Sequence, residues 1–280
     1  VLVHPVLFRI GPFAMRSYGV LLALSFFLGI LLASRRLSRM GGDGAKMIDL
    51  AVVIIIASIV GSRLFYVAFH WDEFAGRLTD IINPFNNPEG IGIAGLSMDG
   101  GVFLAVLCGL IYLRRTRQPV LLTLDAMAPS FGLGIFLTRI GCFLNGCCFG
   151  TPCATGSGII FPPESLAGWH YPGVPLHPAQ LYNAAGGVVM LGLLLWLERY
   201  RTFRGFTFLL AVVMYGALRL TVDFYRHFEP NIFILRFGQT GLTANQAVSG
   251  LAMLIALALF IRFSIRSRGR PLPAADDQAE

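Results

Sequence analysis

Residues 138–153 read TRIGCFLNGCCFGTPC and gather an arginine, an asparagine and four of the chain's five cysteines into one short apolar stretch. Further along, MYGALRLTVDFYRH sets Tyr215, Arg219, Asp223 and Arg226 at offsets of four, four and three, so one helical face would carry all of them. A guanidinium is planar, permanently charged and presents a fork of donors that matches a phosphate. Arg139 and Arg219, both set deep in apolar sequence, therefore point to a cavity that receives an anionic phospholipid headgroup. A plainer alternative for Arg219 is an internal ion pair with Asp223 that only holds its helix in place. Arg63, in GSRLFY, suits either the same cavity or a snorkelling position at the headgroups.

Other polar residues surround these arginines. GIGIAGLSMDGG has five glycines in twelve residues, as a backbone that turns sharply or approaches a ligand requires, and it contains Asp99. HPAQLYN starts a later apolar segment, with Pro178 in the first helical turn and His177 near the cap. His177 could relay a proton, cap the helix or hydrogen-bond Tyr182. Cys142, Cys147, Cys148 and Cys153 follow the spacing C-x4-C-C-x4-C, which matches no zinc-finger pattern, and no metal is expected. At an extracytoplasmic face, disulfides from the segment end to the following loop are the first expectation. A reactive thiol beside Arg139 is the second. Cys108, alone in its segment, reads as core filler.

The elements that must hold these groups are membrane helices. With 55% hydrophobic and 13% charged residues over 280 positions, the composition excludes an ordinary soluble domain. Seven apolar stretches lie near 17–37, 46–69, 100–116, 121–149, 177–198, 205–226 and 243–263, each long enough to cross a hydrocarbon core of about 30 Å. The fold expected is an all-α polytopic membrane protein, with residues 1–266 as one transmembrane domain and 267–280 as a disordered cytoplasmic tail. Arg35, Arg36, Arg39 and Lys46 separate the first two stretches; Arg114, Arg115 and Arg117, then Arg199, Arg201 and Arg204, separate later pairs; Arg262, Arg266, Arg268 and Arg270 close the chain. All four clusters fall on one side if the N-terminus is outside and the C-terminus cytoplasmic. The net charge of +7 is then mostly topology, and no nucleic acid is expected as a partner. The absence of an internal repeat argues against a transporter built from duplicated halves.

With those segments in place, the chain resembles the bacterial prolipoprotein diacylglyceryl transferase family. The matching stretches are IGPFAMRSYG, GSRLFY, AGLSMDGG, TRIGCFLNGCCFG, HPAQLY, YGALRLTVDFYR and GLTANQ, in the family's order. The resemblance implies transfer of a diacylglyceryl group from phosphatidylglycerol to the lipobox cysteine of a preprolipoprotein, with glycerol 1-phosphate released. It implies a multi-pass protein of the bacterial inner membrane, an active site toward the outer leaflet, signal peptides and membrane lipids as partners, a monomeric state, and no cofactor. Arg139 and Arg219 match the family's essential arginines and Tyr18 a functional tyrosine; Asn145 and Gly150 fall inside the signature. Tyr215, Asp223 and Arg63 join the expected binding residues, with Asp99 and His177 near the proton transfer. The chain departs from the family at Asp99, where a histidine is usual, and at Cys142 and Cys147, where asparagine and glutamate are usual. These departures fit a working transferase with altered acceptor-handling residues, or a paralogue that moves lipid to another acceptor. A non-enzymatic lipid or anion transporter is the remaining alternative.

Overall fold

A computed structural model of the chain describes residues 3–10, 13–74, 76, 79, 95–154, 156, 158–228, 233–237 and 240–267. Strands Val6–Ile10 (β1) and Phe13–Arg16 (β2) form an antiparallel hairpin that runs directly into helix Ser17–Arg39 (α1). Helices Gly44–Phe69 (α2), Trp71–Phe74 (α3), Met98–Arg115 (α4), Val120–Asn145 (α5), Leu166–His170 (α6), Ala179–Leu197 (α7) and Phe206–Asp223 (α8) follow. A second antiparallel hairpin, Phe233–Phe237 (β3) with Thr240–Thr243 (β4), leads into the last helix, Ala244–Arg266 (α9).

Among the described residues, six helices are long and apolar enough to span a membrane: α1, α2, α5, α7 with its terminal turn, α8 and α9. The seventh expected span, α4, is an 18-residue helix with Asp99 in its first turn and Arg114 and Arg115 in its last. Several expectations are corrected. The chain is not purely helical, because two hairpins precede α1 and α9. The stretch expected to run to residue 149 stops at Asn145, where Gly146 turns left-handed (φ 67°) and its N–H reaches back to the carbonyls of Cys142 and Phe143. Pro178 is the N-cap of α7 rather than part of its first turn, so the helix starts at Ala179. The expected disordered tail lies outside the described residues beyond Ser267.

Helix α5 is central and packs on α1, α7 and α8, while α2 pairs with α4 and α8 with α9. Ala33, Leu37, Met47, Leu50, Leu113, Leu122 and Ala126 form one core, joining α1, α2, α4 and α5. Ala128, Met190, Leu194 and Ala211 form another across α5, α7 and α8. At the α5–α7 crossing, an added Cβ on Gly132 would sit 2.9 Å from the Gly187 carbonyl, and only two small residues allow that approach. The outward faces are apolar instead of polar: on α9, Val248 is 68% exposed and Leu251 61%. Each such side chain would gain about 1.5–3 kcal/mol by leaving water, so these faces belong against lipid tails.

One end of the bundle is closed by paired charges. Pro129 has no N–H to give the Asp125 carbonyl within α5. Arg36 compensates, donating to the carbonyls of Asp125 at 3.3 Å and Ala126 at 3.1 Å while pairing with Glu198. The Asp125 carboxylate in turn accepts from the N–H groups of Gly205 (2.7 Å) and Phe208 (2.9 Å), capping α8 from a neighbouring helix. Arg36, assigned from sequence to a cytoplasmic loop, is therefore a buried packing residue.

Candidate active site

At the opposite end of the bundle a cavity of about 840 Å³ opens between the starts of α1, α4 and α9 and the ends of α5 and α8. Its wall includes Tyr18 from α1, Met98 from α4, Thr138, Arg139 and Cys142 from α5, and Tyr215 and Arg219 from α8. Cys147, Cys148, Phe149, His170, Arg226, His227 and Phe228 come from the segments beyond α5 and α8 and from α6, and Asn245 and Ser249 from α9. First turns of three helices thus face the cavity, and the positive ends of their dipoles favour negative charge.

Three guanidiniums reinforce that preference. Arg219 pairs with Asp223 at 3.1 Å, the internal ion pair weighed from sequence, yet Arg219 also lines the cavity. Among the described residues that is the one ion pair formed by Arg139, Arg219 or Arg226, so the wall keeps an excess of positive charge. Among the described residues, no carboxylate lines it. An arginine at membrane depth costs about 2.5–3.5 kcal/mol on insertion scales, which a water-filled cavity or an anionic ligand relieves.

The segment after α5 is fixed by backbone pairing rather than by disulfides. The Cys147 N–H donates to the Cys142 carbonyl at 3.1 Å, and Gln180 on α7 donates to the Cys147 carbonyl at 2.8 Å. Gly150 donates to the His177 carbonyl (3.0 Å), Thr151 to Tyr225 (2.9 Å) and His227 to Phe149 (3.1 Å). Gly150 must be glycine, because a Cβ there would run into the carbonyls of His177 and Tyr225. None of the five cysteines is bonded to another, and the expected disulfide staple is not formed. Cys153 is carried elsewhere, its N–H on the Pro175 carbonyl at 2.8 Å, while the sulfurs of Cys142, Cys147 and Cys148 lie within 4.8 Å of one another. Hydrogen bonds from the Cys142 and Cys147 thiols, helped by the charges of Arg226 and Arg139, pull the Cys148 thiol below the usual thiol range despite its burial.

The sequence-predicted residues divide accordingly. Tyr18, Arg139, Arg219, Tyr215, Cys142, Cys147 and Cys148 meet in the cavity wall. Asn145 ends α5 beside them, Gly150 anchors the following segment, and Asp223 holds Arg219. Asp99 is exposed in the first turn of α4, and its side chain is not in the wall. His177 faces Tyr182, its Nδ1 3.3 Å from the hydroxyl, and Arg63 donates to the Gly95 carbonyl at 3.1 Å with its guanidinium 5.0 Å from the Phe74 ring; neither lines the cavity. Sequence reasoning missed His170 and His227 as wall residues. His227 stacks on Phe149 at 5.5 Å and meets the Tyr171 hydroxyl at 3.1 Å. It also passed over Asn245, although GLTANQ carries the Thr-x-x-Gln pattern of a capping box, which here fixes the start of α9.

A bundle of apolar helices around a cavity lined by three arginines defines a polytopic membrane protein. The chain belongs to the prolipoprotein diacylglyceryl transferase family, whose sequence model matches residues 5–262. It is 29% identical to the phosphatidylglycerol–prolipoprotein diacylglyceryl transferase of Clostridium tetani, over 91% of this chain and 96% of that protein. Identity is 30% to the enzyme of the same name from Bordetella bronchiseptica, over 96% and 98% of the two chains. The Synechococcus elongatus enzyme is 34% identical over 70% of this chain and 65% of its own.

Proposed function

We propose that this protein transfers the diacylglyceryl group of phosphatidylglycerol to the lipobox cysteine thiol of preprolipoproteins, releasing glycerol 1-phosphate. The observation that carries the reading is the cavity wall, where Arg139, Arg219 and Arg226 face one space with a single carboxylate, Asp223, among their partners. Cleavage of the glycerol–phosphate bond builds charge on the departing phosphate, and preset guanidiniums stabilise that charge more than they stabilise the neutral parts of the lipid. Tyr18 and Tyr215 line the same wall and would orient the headgroup, while the apolar helix faces leave the acyl chains in lipid. The reading puts α4 in the membrane as a seventh span, the N-terminus outside, the C-terminus in the cytoplasm and the cavity toward the outer leaflet of a bacterial inner membrane. The basic clusters at the far ends of the helices support that orientation. The same reading takes the protein to act as a monomer.

The test is complementation. In a bacterium depleted of its own transferase, expression of this chain restores diacylglycerol on a lipobox substrate, and the Arg139→Ala variant abolishes the effect. A folded, membrane-inserted chain that leaves the substrate unmodified overturns the reading.

A further inference from the structure

Cys142, Cys147 and Cys148 present three thiols to the cavity, and we propose that they hold a zinc-type ion whose fourth position takes the acceptor thiol of the reaction above. The inference rests on that reading for the identity of the fourth ligand, and on geometry for the site itself. The three sulfurs lie within 4.8 Å of one another. In a tetrahedral zinc–thiolate site, with Zn–S near 2.3 Å, sulfurs stand roughly 3.8 Å apart, so a small contraction closes the group around an ion. A disulfide would join two of the three at about 2.05 Å and leave the third unused.

The ligands are also held in place. Cys142 stands on the last turn of α5, the Cys147 backbone is tied to Cys142 and Gln180, and Cys148 adopts a left-handed conformation (φ 58°). That conformation costs a non-glycine residue about 1–2 kcal/mol. Three thiolates around a divalent ion leave net negative charge, and the Arg139 and Arg226 guanidiniums in the same wall balance it. Soft sulfur ligands select zinc or monovalent copper over hard cations, and three protein ligands with an open position are typical of catalytic zinc. Thr138, Arg139 and Cys142 share one helix end, so an ion held there would stand beside the Arg139 guanidinium in the same wall.

The site supplies a group that ionises a thiol without a carboxylate base, beside the His170 and His227 imidazoles of the same wall. A thiol that coordinates zinc is deprotonated, its proton passing to solvent. The acceptor sulfur then attacks the glycerol methylene that bears the phosphate. The C–S bond forms as the C–O bond breaks, the electron pair leaves on the phosphate oxygen, and no redox change occurs.

The test starts with the full chain purified in detergent, free of chelator, and assayed for bound metal. Equimolar zinc is expected, with Cys142→Ser, Cys147→Ser and Cys148→Ser each lowering occupancy at least tenfold and Cys108→Ser retaining it. Folding of the variants is followed separately by thermal unfolding, so that a collapsed variant is not scored. Cobalt-loaded protein is expected to show sulfur-to-cobalt charge transfer that changes when a cysteine lipobox peptide is added and not when its serine analogue is. Absence of zinc from folded wild-type protein, or a disulfide between any two of these cysteines in it, overturns the site. Bound cobalt whose spectrum ignores the cysteine peptide overturns the role in holding the acceptor. A metal-loaded, peptide-responsive protein that fails the complementation above leaves the site standing and removes the transferase reading instead.

Discussion

The two ends of this bundle both contain buried arginines, and they treat them in opposite ways. At the closed end Arg36 has a carboxylate and two backbone carbonyls, and Asp125 has two N–H donors, so every charge meets its complement. At the open end, among the described residues, three guanidiniums share one carboxylate around a cavity. Arg36 and Arg219 are alike in residue type and burial, at 5% and 9% exposed. What separates structure from function is the surplus. A matched set resists any change of partner, whereas a surplus waits for a ligand that brings the missing charge.

The comparison breaks most sharply at Arg139. Replacement by alanine is expected to lower transfer by about 10²–10³-fold, the usual loss when one preset stabiliser of developing charge is removed, with little change in thermal stability. A variant that unfolds instead would make Arg139 a packing residue like Arg36. Arg219→Ala is the less clean test, because it also leaves buried Asp223 unpaired. The mirror experiment is Asp125→Ala, which strands two N–H groups at the start of α8 and is expected to cost roughly 2–3 kcal/mol of stability. Measured per folded molecule in detergent, its transfer rate should be unchanged.

The sequence carried the closed end and the open end unequally. Helix extents followed from apolar length: expected spans at 17–37 and 46–69 became Ser17–Arg39 and Gly44–Phe69. The arginine ladder in α8 was also legible, because a 3.6-residue repeat places Tyr215 and Arg219 on one face regardless of partners. Arg36 was misread because its role depends on a carbonyl released by Pro129, ninety-three positions further along, which no local pattern encodes. The same limit hid His227, which enters the wall through an N–H bond to Phe149 on another segment. The cysteine cluster was found by spacing, but its mutual approach depends on the left-handed turns at Gly146 and Cys148. Cysteine has no strong preference for that region, so spacing alone put disulfides ahead of a cluster of free thiols.

Smaller effects sharpen the contrast within the open end. Among the described residues Arg226 has no carboxylate partner, and its guanidinium lies 5.1 Å from the Phe228 ring at the cavity. Arg226→Gln should raise the KM for phosphatidylglycerol by about tenfold, in line with loss of one charge-assisted contact of about 1.5 kcal/mol, and leave kcat nearly unchanged. An equal fall in kcat would place Arg226 with Arg139 among the groups that act in the transition state.

Gln246 is the smallest test and the most discriminating, because it is a polar residue at the open end whose side-chain bonds, among the described residues, are internal to the α9 cap. Its Oε1 accepts from the Thr243 N–H at 2.9 Å, and the Thr243 hydroxyl accepts from the Gln246 N–H at 3.1 Å. Gln246→Ala removes one arm of this box and should cost about 1 kcal/mol of stability. If a matched set is structural wherever it lies, the variant keeps near-wild-type transfer although its helix carries Asn245 and Ser249 into the cavity wall. A large loss of transfer with stability intact would mean that position relative to the cavity, rather than the balance of partners, decides which polar residues serve the reaction.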